Sequence, residues 1–438
     1  MARIRPLPPP EQISLTHKQS NIYQWGFQPE ARFRTAVCGR RFGKTYLAAR
    51  EMKRAAQLAA KWSVHPDNEI WYGAPTFKQA KRVFWPRLKR AIPAHWVEHK
   101  NENECHLTTV AGHTLRIVGL DLYDNLRGSG LFFFIGDEWA DVPPQAWIEV
   151  VSPMLSTAHG HSLKIGTPKG FDHFYDEYVL GQEGGEVDHK SWHYTTLQGG
   201  NVPQAELERA KRILDARTYE QEYEAGFVTY SGRVIYAFDR KLHVQDCPYK
   251  PELPVYIGMD FNLNPMSATV WQEYGGAIRQ IDEIILPTSN TDDMSDVIAH
   301  RYGRPSFTPG EIEVGHITVY PDPAGAQSRT SAQGRTDISI LRGRGFSVMA
   351  MSKAPLIRDR ITETNARFRN AAGDIRAYVD PCCLQSIKAY EKQTYVEGTN
   401  DPDKKSGFDH IVDATGYFIY GRFAYKPARF NQGFNIGR

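Results

Sequence analysis

Apolar and polar positions along the chain alternate with two different periods, and the switches between them lay out the elements. Phe33 to Val37 is a short extended run, and Tyr46 to Ala60 is a helix-like run. Glu69 to Ala74 reads as a strand that passes through Pro75-Thr76 into a basic amphipathic helix, Lys78 to Arg90. Strand, helix and strand in this order predict a parallel sheet with crossover helices. His106 to Val118 alternates as a hairpin does, with its turn at Ala111-Gly112. Leu131 to Ile135 is apolar throughout, as a central parallel strand covered by helices on both faces must be. Ser162 to Gly166 predicts one more strand.

From Val187 to about Leu253 the pattern loosens into a charged helix, Pro203 to Tyr223, short extended pieces between Gly226 and Phe238, and a Pro-rich segment, Cys247 to Pro254. Order returns with Val255 to Phe261, its antiparallel partner Ser267 to Gln272, and a third strand, Ala277 to Leu286. Ile317 to Asp322 ends a later strand, and Phe408 to Ala414 sits on a helix. The expected organisation is α/β throughout: a first domain over 1–186, a small subdomain and linker over 187–253, a second domain over 254–425, and a basic tail over 426–438. Residues 1–14, rich in Pro and Arg, read as an extended arm, and Leu15 to Trp25 as a short helix-like segment.

Composition narrows the class without deciding it. The 438 residues are 41% hydrophobic and 24% charged, as in ordinary globular proteins. Lys and Arg (53) barely exceed Asp and Glu (50), so the net charge of +3 carries no argument for nucleic acid. Five cysteines, an odd number without metal-ligand spacing, fit a reducing compartment. No apolar run approaches membrane-spanning length, and prolines stand where a signal peptide needs an apolar core. The expectation is a cytosolic protein with no membrane contact.

Candidate chemistry begins where the first strand ends. Cys38-Gly39-Arg40-Arg41-Phe42-Gly43-Lys44-Thr45 lies between an extended run and a helix. In a phosphate-binding loop, glycines let backbone N–H groups close on phosphate oxygens, a lysine reaches the outer phosphates and a following hydroxyl holds Mg²⁺. Gly43, Lys44 and Thr45 fill those roles, while Cys38 stands where the standard spacing has its first glycine. A basic, Gly-containing turn capping a helix is the plain alternative. The acidic strand downstream weighs against it: Leu131 to Ile135 runs into Gly136-Asp137-Glu138 at the carboxyl edge, where ligands bind in such sheets. Asp137 would then hold the Mg²⁺ shell and Glu138 would orient the attacking water. Arg127, just before this strand, is placed to reach a γ-phosphate in its own subunit or a neighbour's. Thr167, after Ser162 to Gly166, would sense the phosphate. Gln19 offers both a donor and an acceptor to an adenine edge.

A second set of acids follows. Asp260 and Asp322 end strands and Asp413 sits on the late helix, the ingredients of a ribonuclease H-like fold in which carboxylates hold two Mg²⁺ or Mn²⁺ ions. Each aspartate alone reads more simply as a cap or turn residue. His410 and Asp409 lie three and four residues before Asp413 and share its helix face. Asp282 and Glu283 are lower-ranked alternatives.

A phosphate loop with arginines inside it, Leu126-Arg127-Gly128, an apolar strand ending Asp137-Glu138, then Gly166-Thr167-Pro168-Lys169-Gly170: this order resembles the ATPase half of large terminase subunits from tailed bacteriophages. Gly258-x-Asp260, Asp322 and His410-x-x-Asp413-Ala414 match the family's nuclease half, so the likeness spans about residues 15–421. It implies that Gln19 contacts adenine, that one of Arg40 and Arg41 faces phosphate, that Arg127 is an arginine finger and that Thr167 belongs to a coupling motif. It further implies a motor that hydrolyses ATP to move double-stranded DNA into a procapsid in the host cell cytoplasm and cuts the concatemeric genome. Its partners would be the portal protein and a small terminase subunit, and its working form a homo-oligomeric ring. A P-loop helicase with merely structural C-terminal acids is the main rival, and residues 255–421 lack the second RecA-like pattern it needs. A transposase or integrase would explain the acids and not the loop.

Overall fold

The computed structural model of the protein describes residues 14–182, 185–228, 232–262, 264–306, 308, 310–326, 335–396 and 399–424. The basic tail of 426–438 and nearly all of the N-terminal arm therefore lie outside the described residues. The chain divides into two compact units, Met1–Arg209 with Tyr219–Thr229, and Ala210–Thr218 with Tyr230–Arg438.

The first unit is built on eight strands: β1 (Phe33–Cys38), β2 (Asn68–Ala74), β3 (Val97–Asn101), β4 (His106–Thr109), β5 (Thr114–Gly119), β6 (Gly130–Asp137), β7 (His161–Gly166) and β8 (His189–Tyr194). They form one sheet in the order β3-β4-β5-β2-β6-β7-β1-β8. From β5 to β8 all pairings are parallel, and β3, β4 and β5 are joined antiparallel. Central β6 is buried at seven of its eight positions, which its unbroken Leu131-Phe132-Phe133-Phe134-Ile135 run requires. The outer strands β3 (VEHKN) and β8 (HKSWHY) are polar and partly exposed, so nothing in their pattern announces them; β8 lies inside the loosened stretch after residue 187.

Two helices frame the loop after β1, namely α1 (His17–Gln24) and α2 (Lys44–Lys61). A fully buried ion pair, Arg34 Nη1 to Glu51 Oε1 at 2.5 Å, fastens β1 to α2, and the same Arg34 Nη1 donates to Ile22 O at 3.0 Å. The expected single helix Lys78 to Arg90 is two, Phe77–Val83 and Trp85–Ala91, because Pro86 in the second helix's first turn lacks the N–H that a continuous helix needs. The charged helix Pro203 to Tyr223 is likewise two, Gln204–Ile213 and Ala216–Tyr223, and Asp215 between them accepts the Thr218 N–H at 3.2 Å.

In the second unit, β9 (Val255–Asp260), β10 (Met266–Tyr274) and β11 (Ala277–Leu286) form an antiparallel meander. A small ladder pairs β12 (Arg304–Pro305) with β13 (Ile312–Glu313). Next, β14 (Ile317–Pro321) joins β9 in parallel, with β15 (Ser347–Val348) and β16 (Ala377–Val379) at the edges, giving the order β15-β14-β9-β10-β11-β16. Three antiparallel strands followed by parallel ones on the first strand's free side are the ribonuclease H-like arrangement expected from the sequence. The helix Asp409–Phe423 packs on β9 so closely that a Cβ on Gly258 would stand 2.0 Å from Ala414 O. Glycine at 258 is what lets this helix, and the acids on it, approach the strand.

All five cysteines are free thiols. Among the described residues no helix is long and apolar enough to cross a membrane.

Candidate functional site

In the first unit, β1 delivers the chain to the loop at Cys38, and α2 carries it away from Gly43. Gly43 has φ +98°, and a Cβ there would meet Gln19 Nε2 at 2.2 Å, so geometry and space both exclude a side chain. Side chains from scattered elements hold the loop's carbonyls. Lys44 Nζ donates to Cys38 O (3.0 Å), Gly39 O (3.2 Å) and Thr167 Oγ1 (3.0 Å). Thr167 Oγ1 in turn donates to Cys38 O at 3.3 Å, and Thr196 Oγ1 to Arg40 O at 2.7 Å. Gln19 Nε2 and Asn201 Nδ2 both donate to Phe42 O, at 3.0 and 2.8 Å.

A cavity of about 870 Å³ opens on this loop, and Arg40, Arg41, Gly43, Lys44, Thr45, Thr167 and Glu138 all line it. Arg41 and Glu138 reach it from left-handed backbone, φ +61° and +50°, which is uncommon for residues with a Cβ. Beneath Glu138, Asp137 is 4% exposed; Tyr72 Oη donates to its Oδ2, and the Glu138 N–H to its Oδ1 at 2.9 Å. Burial raises the Asp137 carboxyl above its ordinary range, opposed by the Tyr72 hydroxyl, then by the charge of Lys44, the Glu138 amide and Arg87. Burial also raises Glu138, and the Asp137 charge adds to the shift. Two adjacent acids held above their normal range beside a lysine make a site whose electrostatics call for added positive charge.

Four expected residues do not line the cavity: Asp137, beneath Glu138, and Gln19, Arg127 and Gly39. Gln19 is 2% exposed and does not line the cavity; its Oε1 accepts the Thr16 N–H at 3.0 Å, so both ends of its amide serve α1 and the loop. Arg127 is outside the cavity too, paired with Asp124 (3.1 Å) and Glu149 (3.3 Å) and more than half exposed. Gly39 accepts from Lys44 and does not line the cavity. Arg40 is paired through Nε with the Glu222 carboxylate, and its N–H donates to Glu222 O at 2.7 Å. Sequence reasoning missed Gln79, Arg87, Asn201 and Glu222 in the lining, and Tyr72 behind Asp137. Only Tyr72 carried a signal, as a hydroxyl near the carboxyl end of a strand adjacent to β6.

In the second unit Asp260, Asp322, Asp409, His410 and Asp413 line one cavity of about 460 Å³. The expected acids, 153 residues apart at the extremes (413 minus 260), are thus brought together. Asp260, Asp322 and Asp413 each have a partner of their own. Asp260 Oδ2 lies 3.0 Å from His410 Nδ1, and Asn262 Nδ2 lies 2.9 Å from His410 Nε2. Asp322 Oδ1 accepts the Ala324 N–H at 2.9 Å, and burial first, with Asp322 adding to it, raises the Tyr417 hydroxyl. Arg360 Nη1 is 3.0 Å from Asp413 Oδ1. Asp409 Oδ1 is buried without a hydrogen-bond partner. With the acids so engaged, no group of three or more His, Cys, Asp or Glu side chains among the described residues stands in ligand geometry.

The chemistry of this set still fits a hard divalent cation. Burial pushes Asp413 up to about 6, against the pull of Arg360 and with a further push from Asp260 and Asp409. Crowded carboxylates of this kind are relieved by a cation, and Mg²⁺ and Mn²⁺ favour oxygen donors. The hydrogen bond to Asp260, opposed by burial, raises His410. Asp282 instead accepts from Arg301 and Tyr302 (2.6 Å each), and Glu283 accepts the Gln385 and Ser386 N–H groups (2.8 and 2.7 Å); neither lines the cavity. Tyr417 lies four residues after Asp413 and was findable by spacing, whereas Arg360, on the separate helix Ile357–Phe368, was not.

No family model matches the chain. Over 283 residues it is 29% identical to the large terminase subunit of Thermus virus P23-45, a match covering 53% of this chain and 56% of that protein. Over 222 residues it is 26% identical to the large terminase subunit of Escherichia phage T5, covering 50% of this chain and 49% of that one. The chain spans about half the length of the curated relatives it matches. A solved large terminase from a thermophilic bacteriophage superposes with a TM-score of 0.55 at 19% identity, covering 93% of this chain and 99% of that one. This chain has the fold of a large terminase subunit. The terminase fold thus accounts for the whole order of elements, with a largely parallel sheet carrying the Gly43 loop first and a ribonuclease H-like sheet second.

Proposed function

We propose that the chain is the motor and nuclease of a viral DNA-packaging machine. In this reading the first unit hydrolyses ATP to move double-stranded DNA into a procapsid, and the second cuts the concatemeric genome. The observation that carries it is the co-occurrence in one chain of a loop cavity containing Lys44, Thr45 and Glu138 and a cavity lined by Asp260, Asp322 and Asp413. Terminase crystals from the thermophilic phage with ADP and with ATP-gamma-S support a nucleotide in the loop cavity.

In the loop cavity Lys44 would draw charge from the outer phosphates, and Thr45 and Asp137 would hold Mg²⁺, which neutralises charge developing on the phosphoryl oxygens. Glu138 orients the attacking water and accepts its proton. Arg40 and Arg41 both line the cavity and are the candidates for the additional phosphate contact. Arg127, outside this chain's own cavity, would act on a neighbour's nucleotide in a homo-oligomeric ring. Gln19 supports the loop through Phe42, so an adenine contact would require its amide to leave that carbonyl. In the second cavity Asp260, Asp322 and Asp413, with Asp409 or His410 beside them, would hold two Mg²⁺ or Mn²⁺ ions, which supply an activated water and a clamp on the leaving oxygen. Double-stranded DNA, the portal protein and a small terminase subunit are the partners of this reading, and the host cell cytoplasm its location.

ATPase and plasmid-cleavage assays on one preparation test it. Lys44→Ala and Glu138→Gln should abolish ATP hydrolysis and leave cleavage in Mn²⁺ at least partly intact, and Asp260→Asn should do the reverse. Native ATP hydrolysis by Glu138→Gln, or cleavage by Asp260→Asn, would show the assignment to be wrong.

A further inference from the structure

Among the described residues lining the acidic cavity, Arg360 is the one buried cation. Its side chain is 6% exposed, and its guanidinium lies 4.2 Å from the centroid of the Tyr417 ring. The Nη1 group is 3.0 Å from Asp413 Oδ1, yet Nη1 and Nε both lack a hydrogen-bond partner. The two facts agree once direction is considered: the charges touch, but the N–H vectors do not point at the carboxylate oxygen. A buried guanidinium with unused N–H directions is costly, and a planar fork of this kind matches a phosphate's paired oxygens.

We propose that Arg360 is a catalytic residue of the second cavity, sharing Asp413 with a divalent cation and donating from its guanidinium, which lines the cavity, to a phosphate oxygen of the DNA backbone. The proposal rests on the nuclease reading above and adds to it a substrate contact. A cation next to Asp413 repels a divalent ion that uses the same carboxylate, so Arg360 weakens metal binding while strengthening the grip on substrate. Removing its charge therefore has effects of opposite sign on two measurements, which a purely structural arginine would not produce.

Arg360→Met keeps most of the volume and removes the charge; Arg360→Lys keeps the charge and removes the fork. The full chain is titrated with Mn²⁺ at pH 8.5 without DNA, following the thermal midpoint, and cleavage of supercoiled plasmid is measured in parallel. For Arg360→Met the Mn²⁺ midpoint should fall about tenfold, while cleavage at saturating Mn²⁺ should drop roughly ten- to hundredfold. Arg360→Lys should bind Mn²⁺ as the wild type does and cleave about tenfold more slowly; should the methionine variant not fold, this variant decides alone. Unchanged or weaker Mn²⁺ binding by Arg360→Met, or wild-type cleavage by Arg360→Lys, overturns the proposal. If the wild type cuts and binds Mn²⁺ while those outcomes hold, the proposal alone falls. If the wild type does neither, the nuclease reading falls and takes the proposal with it.

Discussion

Tyr72→Phe isolates one hydroxyl behind Asp137 and Glu138, the acids that the proposed function assigns to ATP hydrolysis. The ring is stacked on Phe84 at 3.6 Å between centroids and 1° between planes, so phenylalanine keeps the packing. What is lost is the O–H that donates to Asp137 Oδ2. After burial, which raises the Asp137 carboxyl, this hydroxyl is the largest influence on it and acts in the opposite direction. A hydrogen bond to a charged group is worth about 1.5–3 kcal/mol, which corresponds to about one to two pKa units. Asp137 and Glu138 titrate as a pair, and the acid limb of the kcat/KM profile for ATP belongs to both. In the variant that limb should move up by about one to two pH units, and the rate should recover above it, because the Tyr72 side chain does not line the cavity. Stability gives an independent sign. An acid whose folded pKa is raised opposes folding once ionised: the penalty is absent below the unfolded pKa and complete above the folded one. Tyr72→Phe should therefore lose more stability relative to wild type as pH rises through that window. An acid limb that stays in place, or a loss of rate equal at every pH, would refute the reasoning.

Mixing Arg127→Ala with Lys44→Ala subunits should restore part of the ATPase activity, since some interfaces then join an intact loop to an intact arginine; with assembly confirmed, no rescue would exclude action on a neighbour. Glu51→Ala leaves Arg34 buried without its partner and should cost about 3–5 kcal/mol in urea unfolding. The double replacement of Arg34 by Met and Glu51 by Leu should cost much less, and equal losses would show that the pair's charge is not what matters.

The legible parts of this chain were those whose residues answer to one local rule. Leu131 to Ile135 could be read as a central strand because burial on both faces demands apolar side chains at every position. The turn at Gly43 could be placed because a strand pattern ends and a helix pattern begins around it, and there the backbone turns through φ +98°, which glycine tolerates. The edge strands β3 and β8 were illegible, since almost none of their positions is fully buried and no face therefore demands apolar side chains. Arg360 and Asn201 were hidden for another reason: each gains its role from a neighbour brought close only by the tertiary fold, such as Asn201 bonding Phe42 O across 159 positions. Gln19 was singled out as a polar group ahead of the loop, yet its amide meets the loop's backbone.

The carbonyl bonds around the loop from Cys38 to Thr45 have a consequence for how portable that loop is. A trans peptide unit points its C=O and its N–H in opposite directions. Thr196 holds Arg40 O on one side and so turns the Arg41 N–H to the other; Gln19 and Asn201, holding Phe42 O, do the same to the Gly43 N–H. Which way the loop's amides face is thus decided by residues on α1 and beyond β8. Cys38 to Thr45 grafted onto another sheet would carry the lysine and the hydroxyl but leave these peptide planes free to rotate. The transferable module is the loop together with its three outlying clamps.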